Sequence, residues 1–141
     1  MSLNPAINII KKYEGLQLRV YTCPGGKETI GWGHVVKPNE SFRYITDAQA
    51  EMLLMKDIRD AEEAMLRFIK VPLNNNQKCA LISFIFNLGS GNFQSSTLLK
   101  VINEERHLDV PEQLIRWVFV SGKKFRGLMR RRCEESLLYV S

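Results

Sequence analysis

Long apolar runs are absent from this sequence, and none approaches the ~20 residues that a membrane-spanning helix requires. The first residues also lack the basic start, the uninterrupted apolar segment and the small-residue cleavage site of a signal peptide. These absences predict a protein without stable membrane insertion that is made and kept in the cytoplasm.

Cysteine and histidine are scarce. The chain has three widely spaced cysteines and two histidines, with no CxxC pair. An odd, scattered set of cysteines argues against a disulfide framework and indicates a reducing compartment. So few thiol and imidazole groups also argue against a structural zinc site, and we expect neither a metal nor a cofactor.

The remaining composition is that of one globular domain. The chain has 141 residues, of which 45% are hydrophobic and 25% charged, enough for a substantial core. Its formal net charge is +5 and its isoelectric point is about 9.2. A basic protein favours a polyanionic partner such as nucleic acid, anionic lipid or the bacterial wall, and charge alone does not choose among them.

Helical patterns occupy both ends of the chain. Asn4 is the predicted N-cap of a first helix that ends at Gly15. Thr46 and Gln49 form a capping-box pattern before a long helix that is predicted to run to about Ile69. Its predicted buried residues are Met52, Leu53, Met55, Ile58, Met65, Leu66 and Ile69. Further helices are predicted at about 74–88, 95–102, 111–118 and 126–139.

A glycine-rich segment between these helices predicts a small antiparallel sheet. Strands are predicted at 19–22, at 28–35 and, more briefly, at 43–45. If the first turn centres on Gly26, then Cys23 and Thr29 lie opposite each other.

The predicted fold is therefore α+β, within a single domain that spans residues 1–141. Residues 14–45 form a small sheet lobe, and residues 1–13 together with 70–141 form a helical lobe. The helix at 46–69 connects the two lobes and leaves a cleft between them.

Glu14 has an unusual place, at the predicted end of the first helix. A carboxylate there faces the negative end of the helix macrodipole, which costs roughly 0.3–1 kcal/mol. The same field disfavours the charged form, which suits a general acid. The alternative is a solvated glutamate at a frayed helix end. Tyr21, Trp32 and His34 on the predicted sheet add aromatic and polar surface of the kind that binds a sugar ring.

Three short segments, 13–16, 21–23 and 29–34, resemble the phage-type lysozymes, the endolysins of tailed phages. That family carries a catalytic triad of a Glu, an Asp or Cys, and a Thr. Here eight residues separate Glu14 from Cys23 and five separate Cys23 from Thr29, which is the spacing of that triad. Later segments resemble the central helices and the C-terminal part of the family: parts of 73–99, Trp117 and 127–131.

The resemblance implies a lysozyme-like fold and hydrolysis, with inversion, of the β-1,4 bond between N-acetylmuramic acid and N-acetylglucosamine in bacterial peptidoglycan, causing host cell lysis. Glu14 would protonate the glycosidic oxygen, and Thr29 would help to position the attacking water. Cys23 stands where many members have Asp. It would act as a partial thiolate with that Asp's electrostatic role, as a neutral thiol that places the water, or only as a small buried filler.

Five residues are predicted to contact the substrate: Tyr21, His34, Phe86, Asn87 and Arg130. The resemblance places Phe86 and Asn87 on the cleft, although helical spacing also allows Phe86 to belong to the core. It further implies that either Arg130 or Arg131 reaches Glu14. Any two of the three consecutive arginines are expected to form a solvated basic face.

The resemblance also implies a route to the substrate. The enzyme would stay in the host cytoplasm until a separate pore protein, a holin, released it to the cell wall, and it would make no direct contact with that pore. We expect a monomer that binds peptidoglycan and not nucleic acid. The alternatives are a basic nucleic-acid-binding module built on the arginines of 126–132, a cysteine hydrolase using Cys23 and His34, a lytic transglycosylase, and a wall-binding relative without activity.

Overall fold

The computed structural model describes residues 2–141, which form seven α-helices, a three-stranded antiparallel sheet and a two-stranded hairpin. In chain order the elements are α1 (Asn4–Glu14), β1 (Gln17–Thr22), β2 (Glu28–Gly31), β3 (His34–Val35), α2 (Asp47–Phe68), α3 (Asn75–Leu88), α4 (Ser90–Gln94), α5 (Thr97–Asn103), a 3₁₀ turn (His107–Asp109), α6 (Val110–Leu114), β4 (Phe119–Val120), β5 (Lys123–Lys124) and α7 (Arg126–Val140). The predicted α+β class is confirmed. None of the helices within residues 2–141 combines the length and the apolarity that crossing a bilayer demands.

Local capping chemistry fixes the starts of the two longest central helices. The Thr46 hydroxyl accepts a hydrogen bond from the Gln49 amide, and the Gln49 side chain accepts one from the Thr46 amide, as the capping-box pattern predicted. Asn74 and Gln77 form the same reciprocal pair before α3. The predicted cap at Asn4 is wrong, because Asn4 is already the first residue of α1 and no side chain caps that helix.

The main core surrounds α3, which packs against α1, α2 and α7. Every residue of α3 from Cys79 to Ile85 is buried, so this helix is covered on all sides. A smaller apolar cluster of Ile30, Ile45 and Ala50 lies under the sheet, and α2 contributes to both clusters. Two residues predicted to be buried on α2 are instead exposed, Met52 at 72% and Leu66 at 59%, because helical spacing defines a face without fixing its width.

The sheet differs from the prediction in its third strand. The returning segment predicted as one strand over 28–35 ends at Gly31 and resumes at His34 as β3. Gly31 and Gly33 have φ angles of +68° and +82°, a left-handed conformation that folds the chain back on itself. The predicted strand at 43–45 is wrong, since Tyr44 forms only an isolated bridge to Arg19.

Two features of the C-terminal half also correct the sequence interpretation. The hairpin of β4 and β5, with its turn at Ser121 and Gly122, was not predicted. His107, expected to be exposed at a helix end, is half-buried, and its Nδ1 lies 2.8 Å from the buried Tyr139 hydroxyl. A polar partner contributed from a distant helix accounts for this burial.

Candidate active site

Glu14 is the last residue of α1, and Gly15 follows it with a φ angle of +68°. Its side chain is 19% exposed, and one carboxylate oxygen, Oε2, accepts a hydrogen bond of 2.6 Å from Nη1 of Arg131 on α7. The helix end therefore does not leave a frayed, solvated carboxylate. A buried guanidinium holds it at the surface of the helical lobe, facing the sheet.

Gly33 lies against the other carboxylate oxygen of Glu14. A Cβ atom built on Gly33 would be 2.5 Å from Oε1 of Glu14, and the φ angle of Gly33 is +82°. Both the close approach and the backbone conformation require glycine. The backbone between β2 and β3 thus forms one wall around the carboxylate, and Arg131 forms another.

Cys23 and Thr29 come together at the end of the first hairpin, but not in the predicted way. The residue opposite Thr29 is Tyr21, and the Cys23 amide donates instead to the Lys27 carbonyl at 2.9 Å. The predicted register was wrong because the turn is centred one residue earlier than Gly26. The buried Thr29 hydroxyl lies 3.1 Å from the Lys27 carbonyl and also within reach of the Cys23 sulfur.

The surroundings of Cys23 favour its thiolate. Burial raises the pKa of the thiol, but hydrogen bonds to the sulfur from the Lys27 and Gly25 amides and from the Thr29 hydroxyl outweigh burial, and the pKa falls below its usual value. Such donors favour the thiolate over a buried filler, and the catalytic role of Cys23 stays a prediction.

Tyr21 faces both acidic groups. Burial raises the pKa of its phenol, and the negative charges of Glu14 and Cys23 raise it further. The phenol therefore lies within electrostatic range of both side chains. That Tyr21 contacts substrate stays a prediction.

The arginine that reaches Glu14 is Arg131, and Arg130 is exposed. Arg131 and Arg132 are both buried, so the prediction that two of the three arginines are solvated is wrong. A step of one residue rotates a helical side chain by about 100°, and the orientation of α7 turns Arg131 and Arg132 inward while Arg130 faces outward. Without these two guanidinium groups, the run 126–132 does not present a continuous basic face for nucleic acid.

His34 is buried inside the protein. Its Nδ1 lies 2.7 Å from Asp57 and its Nε2 lies 2.9 Å from Glu40, and the hydrogen bond to Asp57 is the main cause of a raised pKa. Both ring nitrogens are thus occupied, so neither is free to bind a sugar or to activate Cys23. The ring still lines a cavity beside Gly33, so the substrate contact of His34 stays a prediction. The occupied nitrogens remove the base that a cysteine hydrolase would need.

Two cavities border residues that contact Glu14. One of about 220 Å³ is bordered by Gly33, Val35 and the half-buried Phe86, with Asp57 and Asp60 on its wall. The other, of about 240 Å³, extends from Arg131 to an apolar lining of Tyr13, Pro24, Val120, Phe125 and Leu128. Gly33 borders one cavity and Arg131 the other, and the Glu14 carboxylate contacts both residues.

Asn87, predicted to face the substrate, is partly buried, and its Oδ1 accepts a hydrogen bond of 2.8 Å from Nη2 of Arg132. Sequence reasoning missed three members of the surrounding polar cluster: Ser83, Arg132 and Glu135. The signal was present in the spacing of α7, where Arg131 and Arg132 precede Glu135 by four and three residues. In the part of the chain that the structure describes, no three His, Cys, Asp or Glu side chains are grouped to hold a metal ion.

Known proteins resemble this chain over most of its length. The phage lysozyme family matches residues 11–135. The endolysin of Bacillus phage PZA is 39% identical over 137 residues, which are 96% of this chain and 53% of that protein, so this chain spans about half of that relative. The endolysin from Escherichia coli O157:H7 phage FAHEc1 has a TM-score of 0.84 at 33% identity, covering 100% of this chain and 94% of that one. The muramidase domain of SpmX from Asticaccaulis excentricus has a TM-score of 0.83 at 32% identity, covering 96% and 95%.

Proposed function

Because this chain belongs to the phage lysozyme family, we propose that it is an endolysin that hydrolyses the β-1,4 bond between N-acetylmuramic acid and N-acetylglucosamine in bacterial peptidoglycan. The observation that carries the proposal is the position of Glu14, whose carboxylate is held between Gly33, which borders one cavity, and Arg131, which borders another. A relative that is a muramidase supports cleavage on the muramic acid side.

Glu14 is the proposed general acid. Its carboxyl proton passes to the glycosidic oxygen as the bond from that oxygen to C1 breaks, and positive charge develops on the sugar ring. Gly33 and Arg131 hold the carboxyl group from two sides, which restricts its orientation during proton transfer. Glutamine at this position has no proton of comparable acidity to give.

Cys23 and Thr29 are proposed to act on the opposite face of the sugar. The lowered pKa of Cys23 favours a thiolate, which stabilises the positive charge on the ring and accepts a proton from the water that attacks C1. The Thr29 hydroxyl orients the sulfur and that water. A single displacement of this kind inverts the configuration at C1, and solvent exchange returns the two groups to their starting protonation states.

The cleft walls are proposed to bind the glycan. Phe86 offers an apolar face for a sugar ring in the first cavity, while Tyr21 and Asn87 provide hydrogen-bonding groups near the scissile bond. Arg130 is exposed close to Tyr13, next to the second cavity, where its charge suits the carboxylates of stem peptides. His34 lines the first cavity, where we propose that its ring, and not its paired nitrogens, contacts the glycan.

We also propose that the enzyme acts as a monomer and reaches the wall from the host cytoplasm through a holin-type pore that it does not bind. The expectation rests on the family resemblance and on the substrate, which lies outside the membrane. Enzyme activity outside intact cells that produce no such pore would contradict this route.

The proposed activity is tested by digestion of purified peptidoglycan, followed as loss of turbidity, with wild type and Glu14→Gln compared at equal concentration. Wild type should clear the suspension and release new reducing ends, and Glu14→Gln should release none. Products with an anhydro end would instead identify a lytic transglycosylase. Clearing by Glu14→Gln would contradict the assignment of the acid.

A further inference from the structure

A second carboxylate lies behind the active site, fully buried on α7. Glu135 is 0% exposed and accepts a hydrogen bond of 2.6 Å from the Ser83 hydroxyl. Its Oε2 also accepts from Nη2 of Arg132 at 3.2 Å and from Nε of Arg131 at 3.4 Å. Nε of Arg132 lies 2.7 Å from the other oxygen without pointing at it. The carboxylate is therefore shared between two guanidinium groups.

Arg131 links Glu135 to the proposed catalytic acid. Its Nη1 binds Glu14, its Nη2 donates to the Ser83 carbonyl at 3.1 Å, and its Nε faces the Ser83 hydroxyl and Glu135. Every edge of the guanidinium thus has a partner. A planar group held on all edges has one orientation, so the atoms around Glu135 determine where Nη1 points.

The charges in this cluster balance only because Glu135 is present. Burial raises the pKa of Glu135 and opposes its charge, whereas the two arginines and the Ser83 hydroxyl favour the carboxylate. Both guanidinium groups stay charged at neutral pH, so a proton on Glu135 would leave two buried positive charges facing Glu14 alone. The ionised form of Glu135 is the one that this geometry supports.

We propose that Glu135 is a positioning residue that fixes Arg131 and offsets its charge, so that Glu14 is able to carry the proton that it donates. This inference rests on the proposed function of Glu14. With Glu135 ionised, two positive charges meet two negative ones when Glu14 is ionised. Without Glu135, one of the two arginine charges has no negative partner. That unbalanced positive charge favours ionised Glu14 and depletes the protonated acid.

Other groups act on the same two carboxyls. Glu14 faces Arg131 and Arg132 from α7 and Tyr21 from the first hairpin, where Cys23 adds its own partial charge. Glu135 faces the two arginines of its own helix and Ser83 from α3. Among these, Arg132 is the partner whose removal would compensate for the loss of Glu135, since its positive charge acts on both carboxyl groups.

The experiment measures pH–activity profiles on purified peptidoglycan for wild type, Glu135→Gln and the double variant Glu135→Gln/Arg132→Gln. Glu135→Gln should move the alkaline limb of the profile to lower pH by about one unit and lower kcat about ten-fold at neutral pH, with KM little changed. The double variant also removes the positive charge of Arg132, which restores the charge balance around Glu14. Its alkaline limb should therefore move back toward that of wild type. Glu112→Gln, which alters an exposed i,i+4 pair with Arg116, is the matched charge control.

A merely structural role predicts something else. Loss of packing would lower activity equally across the pH range, and the double variant would be at least as impaired as the single one. Either result overturns the proposal. If Glu135→Gln folds poorly, the double variant still tests the proposal, because removing both Glu135 and Arg132 leaves no unpaired buried charge.

The failure of this inference is separable from the failure of the proposed function. A ¹³C NMR titration of the Glu14 carboxyl in the free protein needs no substrate, and Glu135→Gln should shift its midpoint to lower pH by about one unit. An unchanged midpoint in a protein that digests peptidoglycan would overturn the role of Glu135 alone. A shifted midpoint in a protein that does not digest it would overturn the function and leave the coupling intact.

Discussion

Gly33→Ala is expected to disable the site through one contact. The new Cβ would lie 2.5 Å from Oε1 of Glu14, whereas ordinary contacts begin near 3.4 Å, so the carboxylate has to move by about 1 Å. Arg131 holds the other oxygen at 2.6 Å, which leaves the side chain little room to retreat. A displacement of that size at a catalytic group lowers kcat by about 100-fold.

The same substitution also strains the backbone, because alanine at a φ angle of +82° costs about 1–2 kcal/mol. Gly122→Ala is the matched control: its φ angle is +78°, and a Cβ there would meet nothing within 4 Å. Both variants should lose similar stability in urea unfolding, but only Gly33→Ala should lose lytic activity in the turbidity assay. Activity of Gly33→Ala within about two-fold of Gly122→Ala would refute the reasoning.

Three further outcomes are expected. The hydrogen bond to Asp57 raises the pKa of His34 above its unfolded value, so the stability from this pair should be complete below the unfolded pKa and lost as pH rises through the folded pKa. In urea unfolding, the free energy of His34→Gln should therefore depend less on pH than that of wild type, and an equal pH dependence would contradict this. Cys23→Asp should remain lytic and Cys23→Ser should lose most activity, since only the first restores a negative charge; equal activity of Cys23→Ser and wild type would favour a neutral water-positioning thiol. Arg131→Lys should lower kcat more than it raises KM, because lysine cannot hold Ser83 and Glu14 together, and an unchanged kcat would argue against orientation by the guanidinium.

The elements that could be predicted from the sequence are those whose causes are local. The capping boxes at Thr46 and Asn74 need only residues three apart, and both are present. Glu14, Cys23 and Thr29 were recognisable because they lie within one short stretch with characteristic spacing. The turn of that hairpin is also local, but its centre was misjudged by one residue, which was enough to change the cross-strand partner of Thr29.

What escaped prediction depends on contacts between distant parts of the chain. Arg131 meets Glu14 across 117 residues, and a run of three arginines does not by itself indicate which of them point inward. The β4–β5 hairpin has strands of two residues, too short for an alternating pattern to appear. The pairing of both His34 nitrogens also escaped prediction, because the partners Asp57 and Glu40 come from a helix and a loop that the hairpin meets only in the fold.

Digestion of peptidoglycan in H₂¹⁸O, followed by mass spectrometry of the released muropeptides, tests hydrolysis at this cleft most directly. Wild type should place one ¹⁸O atom on C1 of the new reducing-end N-acetylmuramic acid, and Glu14→Gln should yield no such product. Anhydro-muramic ends without ¹⁸O, or label on N-acetylglucosamine instead, would contradict the account.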